Sequence, residues 1–176
     1  MDPTKKELYT AKRSSGVDLS DPAISSSWEL VRSDEDPANW VVLFLSSAST
    51  VAVKETGTGI EEMISRVSDD DMLFGAFRVR IVGLTKFFHF LFIGANVSAI
   101  KKSKATMYES GIFQVRIQSC FLIALICSLI FSPCLKGLEG AHGKIKLSGL
   151  EELTIENIHA QIALVSRVEA SAIEFC

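Results

Sequence analysis

The sequence predicts an α+β fold, in which a central mixed β-sheet of about five strands carries helices on both faces. The apolar runs Trp40–Leu45 and Phe87–Ile93 lack the alternation of a half-exposed strand, so both faces of the sheet must be covered. The segments follow one another as helix, strand, strand, helix, strand, strand, helix. Because the strands come first as hairpins, this order favours a mixed sheet over a doubly wound parallel one.

The boundaries of the first elements follow from local signals. Asp21 and Pro22 are typical of an N-cap and a first helical residue, and the acidic run 34–37, which contains a proline, predicts the end of that helix. The three aspartates at 69–71 lack the spacing of a calcium loop, and we interpret them as a solvated turn. The remaining predictions are strands 40–45, 50–55, 72–81 and 86–93, a short helix 60–67 and a turn 82–84.

The segment from Phe87 to Lys104 carries the most information about function. The turn Gly94-Ala95-Asn96 follows the apolar strand and predicts a helix with Asn96 as its N-cap. That helix opens with three lysines, although the helix dipole already makes its first turn positive. Cations at this end do not help the helix, so they indicate a surface that meets an acidic partner. These residues are Lys101, Lys102 and Lys104.

The last part of the chain predicts a short strand over 142–147 and an amphipathic helix over 150–165. In the strand, Lys144 and Lys146 point one way, and the apolar residues between them point the other. We expect residues 1–20 to be a flexible extension, 21–165 to be the folded domain and 166–176 to be a C-terminal tail.

Composition limits the possible functions. The chain has 176 residues, 48% of them hydrophobic, which suits one domain with a substantial core. Its formal net charge of −3 gives no support to nucleic-acid binding. The four cysteines form no CxxC pair and the three histidines are scattered, so we expect neither zinc, nor another metal, nor a disulfide framework. The polar N-terminus lacks the apolar core of a secretion signal, so we expect a cytoplasmic protein.

Three runs resemble coactosin-like proteins, which belong to the actin-depolymerising-factor homology class together with cofilin. They are WELVRSDEDPANWVVLFL, DDDMLFGAFRVR and FIGANVSAIKKSKA. The resemblance covers residues 21–104 and resumes over 140–162. It implies a central mixed sheet with helices on both sides, and a monomer that binds actin filaments without severing them; binding of monomeric actin stays open. It further implies no enzymatic activity, no cofactor and a location with the actin cytoskeleton.

The resemblance also selects candidate actin-binding residues. Lys86 stands where coactosins place a strand lysine used for filament contact, and the three helix lysines match the basic start of the helix that the class lays against actin. The plainer alternative is an ordinary solvated helix face. For the two strand arginines, solvation at a strand edge is the alternative. The candidates are Lys86, Lys101, Lys102 and Lys104, with Arg78, Arg80, Lys144 and Lys146 as accessory sites.

The run Cys120–Leu135 carries no charge and does not fit the rest of the domain. It could be a membrane anchor, although it is shorter than the roughly 20 residues that a span needs. It could be a buried continuation of the long helix. Our favoured interpretation is an insertion over 115–136 that represents a retained intron, because removing it restores the family's spacing. Its Val115 and Lys136 codons can also carry the GT and AG that mark intron ends.

Two other functions stay open at this point. A small membrane-attached protein would use 120–135 as its anchor, although we do not expect a membrane partner. A regulator could instead bind a partner other than actin through the same basic surface.

Overall fold

A computed structural model describes residues 16–113 and 141–175 of the chain. The elements in these ranges are α1 (Pro22–Arg32), β1 (Trp40–Leu45), β2 (Val51–Gly57), α2 (Ile60–Ser65), β3 (Met72–Ile81), β4 (Leu84–Ile93), α3 (Ala99–Ile112), β5 (Gly143–Ser148), α4 (Ile155–Ser166) and β6 (Ile173–Phe175). The strands form one six-stranded sheet of order β2-β1-β3-β4-β5, with β6 paired to β3. All pairings are antiparallel except that between β4 and β5, so the sheet is mixed, as the sequence predicts.

The sheet separates two hydrophobic cores. Side chains that alternate along each central strand point to opposite faces, so one strand contributes to both cores. Phe77 and Phe90 join α2 and α4 on one face, whereas Phe74 and Leu91 join α1 and α3 on the other. The apolar runs found in the sequence therefore have both faces covered, which confirms the predicted arrangement of helices.

The segment 166–176 was expected to be a tail, but residues 170–175 form a 3-10 turn and strand β6. β6 pairs with the end of β3 and supplies the sixth strand. Ile173 is buried in the core that contains α4, and the ring of Phe175 packs edge-on against Phe77. Only three residues form this strand, so the sequence offers too short an alternation to reveal it.

Some helix and strand starts differ from the predictions. Asn96 is not the N-cap of α3, because its N–H donates to the backbone carbonyl of Asp69 and the helix starts at Ala99. α4 begins at Ile155 instead of residue 150, since the Thr154 hydroxyl caps it by accepting from the Asn157 N–H. β4 begins at Leu84 because the β3–β4 hairpin turn needs only Val82 and Gly83, both with positive φ. The Asp21 cap and the Pro22 start of α1 are confirmed.

The apolar run 120–135, considered as a membrane anchor, lies outside the described residues, as do the ends of the expected insertion 115–136. Over 16–113 and 141–175, no helix combines the length and the apolar character that crossing a membrane requires.

Arg78 connects β3 to the end of α1. Its side chain is buried, and its guanidinium donates hydrogen bonds to the carbonyls of Ser33 and Asp36. These carbonyls follow the last turn of α1, where helix carbonyls lack internal partners. Solvation at a strand edge, the alternative considered for both arginines, therefore does not apply to Arg78, while Arg80 on the same face of β3 is exposed.

Replacing Arg78 with Met should destabilise the fold by about 2 kcal/mol, because buried carbonyls lose a charged donor. Arg80→Met is the matched control, since it makes the same change two residues along the strand at an exposed position, and it should stay within about 0.5 kcal/mol. Urea unfolding of both variants measures the difference. Equal stabilities would contradict the role given to Arg78.

Candidate functional site

The first half of α3 presents a mixed apolar and basic surface. Ile100 and Met107 are 72% and 65% exposed, far more than large apolar side chains usually are. Positions 100, 104 and 107 follow helical spacing, so Lys104 lies between these two apolar residues on one stripe. We call Ile100, Lys101, Lys104 and Met107 the α3 surface. The lysines of this surface were predicted from the sequence, whereas its apolar members were missed, although their helical spacing could have indicated them.

The inner face of α3 explains why this surface points outwards. Ala105 and Ile112 are fully buried in the core shared with α1, and Phe113 after the helix is buried as well. Because these residues fix which side of α3 meets the sheet, the residues between them must face away from it. The exposed apolar side chains are thus a consequence of how the helix packs.

A groove of about 290 Å³ runs beside the start of α3. Its lining includes two lysines, Lys101 and Lys104, and two aspartates, Asp70 and Asp71. The Tyr108 hydroxyl donates to the Ala48 carbonyl at 2.9 Å, which ties the β1–β2 turn to the helix. The remaining lining residues are Phe44, Leu45, Ser47, Ala48, Met72 and Leu73.

Most of the acidic turn 69–71 is engaged within the protein, so its interpretation as a solvated turn is wrong for two of its three members. Asp71 forms an ion pair with Lys54 at 2.9 Å and accepts from the Ser68 N–H. Burial acts to raise the pKa of Asp71, but these partners outweigh it and hold the pKa below its ordinary value. Asp69 accepts hydrogen bonds from two backbone N–H groups, and Asp70 is exposed.

The three helix lysines are not equivalent. The Nζ of Lys102 lies 3.4 Å from the Ala95 carbonyl, so it reaches back to the loop before the helix. Among the described residues, Lys101 and Lys104 have no ion-pair partner within 4.0 Å. Their charges are therefore available to another molecule.

Lys86 lies far from the α3 surface. It is near the start of β4, seven residues before Ile93, which corresponds to about 23 Å along the strand. Nearby are the 62% exposed Leu84 and the imidazole of His142, whose Nδ1 accepts from the Phe87 N–H. Burial lowers the pKa of His142, and the positive charge of Lys86 lowers it further. The structure thus separates the predicted site residues into two regions.

Lys144 and Lys146 both contact a buried carboxylate on α3. Their Nζ atoms lie 2.8 and 2.9 Å from the two oxygens of Glu109, whose side chain is only 6% exposed. Burial acts to raise the pKa of Glu109, but the two ammonium groups outweigh it and hold the pKa below its ordinary value of 4.5. These lysines therefore fix α3 against β5, a role the sequence analysis did not assign to them.

Acid should weaken the contact between α3 and β5. Because the pKa of Glu109 is lower in the folded chain, its contribution to stability is complete above about pH 4.5 and is lost as the pH falls through the lowered value. The free energy of unfolding of wild type should thus exceed that of Glu109→Gln at pH 7, and the difference should shrink below pH 4.5.

Chemical unfolding of both proteins across this pH range measures the difference. Glu35→Gln, which changes an exposed loop carboxylate, is the matched control. A difference between wild type and Glu109→Gln that does not vary with pH would rule out the ion pairs as its source.

A family model described as cofilin/tropomyosin-type actin-binding protein matches residues 16–118. This range includes β1–β4, the α3 surface and Lys86, and it covers more than half of the chain. No curated protein sequence matches the chain at a significant level.

Solved structures of three proteins share the fold. Human coactosin-like protein has a TM-score of 0.63 and 19% identity, covering 86% of this chain and 99% of its own. Mouse coactosin, an actin filament binding protein, has a TM-score of 0.55 and 18% identity, covering 83% and 89%. Cofilin of Streptomyces griseoflavus has a TM-score of 0.57 and 13% identity, covering 87% of this chain and 99% of its own.

Proposed function

The chain belongs to the cofilin/tropomyosin-type family of actin-binding proteins, and from this premise we propose that it binds actin filaments in the manner of coactosins. In this proposal it acts by binding and not by catalysis, leaves filaments unsevered, and works as a monomer with the cytoplasmic actin cytoskeleton. Membership of this family supports actin binding itself. The filament preference rests on the resemblance to coactosins and on the placement of charges.

The observation that carries the proposal is the α3 surface. Its lysines have no ion-pair partner among the described residues, and its two apolar side chains are mostly exposed. Apolar residues that a partner can bury supply affinity, while surrounding charges supply orientation and speed of association. Actin has an acidic surface, which suits the flexible point charge of lysine. We propose Lys101 and Lys104 as direct contacts and Lys102 as a contact that also supports the preceding loop.

The distance between the two basic regions favours a filament over a single actin molecule. Lys86 lies about 23 Å along β4 from the end where α3 begins, so the two regions can reach different subunits of a filament. We propose Lys86 as the second contact and Arg80, which is exposed, as accessory to it. Arg78, Lys144 and Lys146 have partners inside the protein, and we assign them to holding the fold.

Reversing both charges of the α3 surface, in the variant Lys101→Glu/Lys104→Glu, should weaken filament binding by about tenfold or more, because attraction to actin becomes repulsion. Co-sedimentation with actin filaments measures the affinity. The fold should be unaffected, since neither lysine has an ion-pair partner in the described part of the chain.

The matched control is Arg32→Glu/Arg167→Glu, which makes the same change in net charge at exposed positions outside α3. It should bind filaments like wild type. If both double variants lose affinity equally, net charge and not the α3 surface governs binding.

We further propose that residues 115–136 are a retained intron, an insertion that the domain does not need. Support comes from contacts on either side of it. The ring of Phe113 stacks on His89 at 4.5 Å, His89 is in register with Lys144, and Lys144 pairs with Glu109. The chain thus leaves and re-enters the domain at neighbouring places, which a link of about five residues, spanning roughly 17 Å, could join.

Deleting residues 115–136 should leave the domain folded and able to bind filaments. The contacts that hold α3 to β5 lie outside the deletion, so its unfolding free energy should be at least that of the full chain. Circular dichroism and co-sedimentation of the two forms provide the measurement, and the full chain is its own control. A deletion variant that fails to fold would show that the segment belongs to the domain.

A further inference from the structure

We propose that Asp69 is a positioning residue, whose side chain holds the start of α3 and the loop before α4 in the arrangement that meets actin. This inference rests on the proposed function and adds a residue to it that makes no contact with the partner. Asp69 lies in the turn between α2 and β3, outside both segments that it connects.

The Asp69 carboxylate joins two loops that are distant in sequence. Its Oδ1 accepts from the Ala95 N–H at 3.3 Å and from the Leu150 N–H at 3.1 Å. Its backbone carbonyl accepts from the Asn96 N–H at 3.0 Å. One residue therefore satisfies three backbone donors, and hydrogen bonds to a charged acceptor are stronger than those to a neutral one.

Glycines allow these loops to approach so closely. At Gly94, a Cβ atom would collide with the backbone of Asp69, so no larger residue fits there without movement. Gly149 has a φ of +80°, and a Cβ atom at this position would come within 3.9 Å of the Ala95 Cβ. The loop before α3 and the loop before α4 are thus packed against each other around Asp69.

Asp69 also links an exposed apolar residue of the loop before α4 to the loop that leads into α3. Leu150 is 40% exposed. Its N–H and the N–H of Ala95, in the loop that leads into α3, donate to the same oxygen atom of Asp69. The relative positions of Leu150 and Ile100 consequently depend on Asp69. Asp69 belongs to neither hydrophobic core. Removing its carboxylate should therefore move the two loops more than it weakens the cores.

Two substitutions separate positioning from general stability. Asp69→Ala removes the shared acceptor, and we expect filament binding to weaken by about tenfold, which corresponds to the loss of one or two such hydrogen bonds. Asp69→Asn keeps an oxygen at the same place and should recover affinity to within about threefold of wild type. If the Ala variant does not fold, Asp69→Ser takes its place, because a hydroxyl is too short to reach both amides.

Amide hydrogen exchange distinguishes local positioning of the two loops from a general contribution to the stability of the fold. In Asp69→Ala, exchange at Ala95 and Leu150 should accelerate while amides of β3 and β4 keep their wild-type rates. Selective acceleration together with weaker co-sedimentation supports the proposal. Wild-type affinity in Asp69→Ala, or acceleration throughout the sheet, overturns it.

The same experiment separates this inference from the function on which it rests. If wild type itself fails to pellet with filaments, the proposed function is wrong. Selective exchange at Ala95 and Leu150 would then still support Asp69 as the residue that positions the two loops, and unchanged exchange there would overturn that role.

Discussion

The covering of both faces of β3 and β4 determines the rest of this structure. Every residue from Leu73 to Val79, and from Phe88 to Phe92, is buried. Removing apolar surface from water gains about 25 cal/mol of free energy per Å², which strongly favours helices on each side of such strands. Since the inner faces of the helices are committed to the two cores, only outer helix faces, strand ends and loops remain to carry function. The α3 surface and Lys86 both occupy such positions.

In the described part of the chain, the charged side chains buried near the cores are Arg78 and Glu109, and both have partners. A buried charge is costly unless it is paired and hydrogen-bonded, and Arg78 and Glu109 both meet this requirement. Arg78 donates to carbonyls beyond α1, and Glu109 accepts from Lys144 and Lys146. These partners remove several basic residues from the list of surface candidates. Lys101 and Lys104 remain candidates, because neither has an ion-pair partner among the described residues.

The sequence predicted those parts of the fold that depend on local pattern. The bounds of β1 and β3 and the start of α1 agree with the structure, because apolar runs and the Asp-Pro cap are read from neighbouring residues. Asn96 was misassigned as a cap because its backbone N–H pairs with Asp69, which lies far away in sequence. β6 was missed because its stability comes from pairing with β3 and not from its own three residues.

The candidate site was predictable to a similar degree. The helix lysines stand out in the sequence because their position conflicts with the helix dipole. In the structure Lys101 is exposed, whereas Lys102 and Lys104 are half-buried. Two features depend on tertiary structure and cannot be predicted from spacing along the chain. One is the placement of Lys86 and Lys101 at different ends of the sheet. The other is the pair of hydrogen bonds from Ala95 and Leu150 to Asp69.

The central claim is that the α3 surface lies against actin. Electron cryomicroscopy of actin filaments decorated with the full chain tests it most directly. We expect density in which Ile100, Lys101, Lys104 and Met107 are buried against an actin subunit, with Lys86 facing a neighbouring one. Decoration through another face of the domain, with α3 turned towards solvent, would contradict the account.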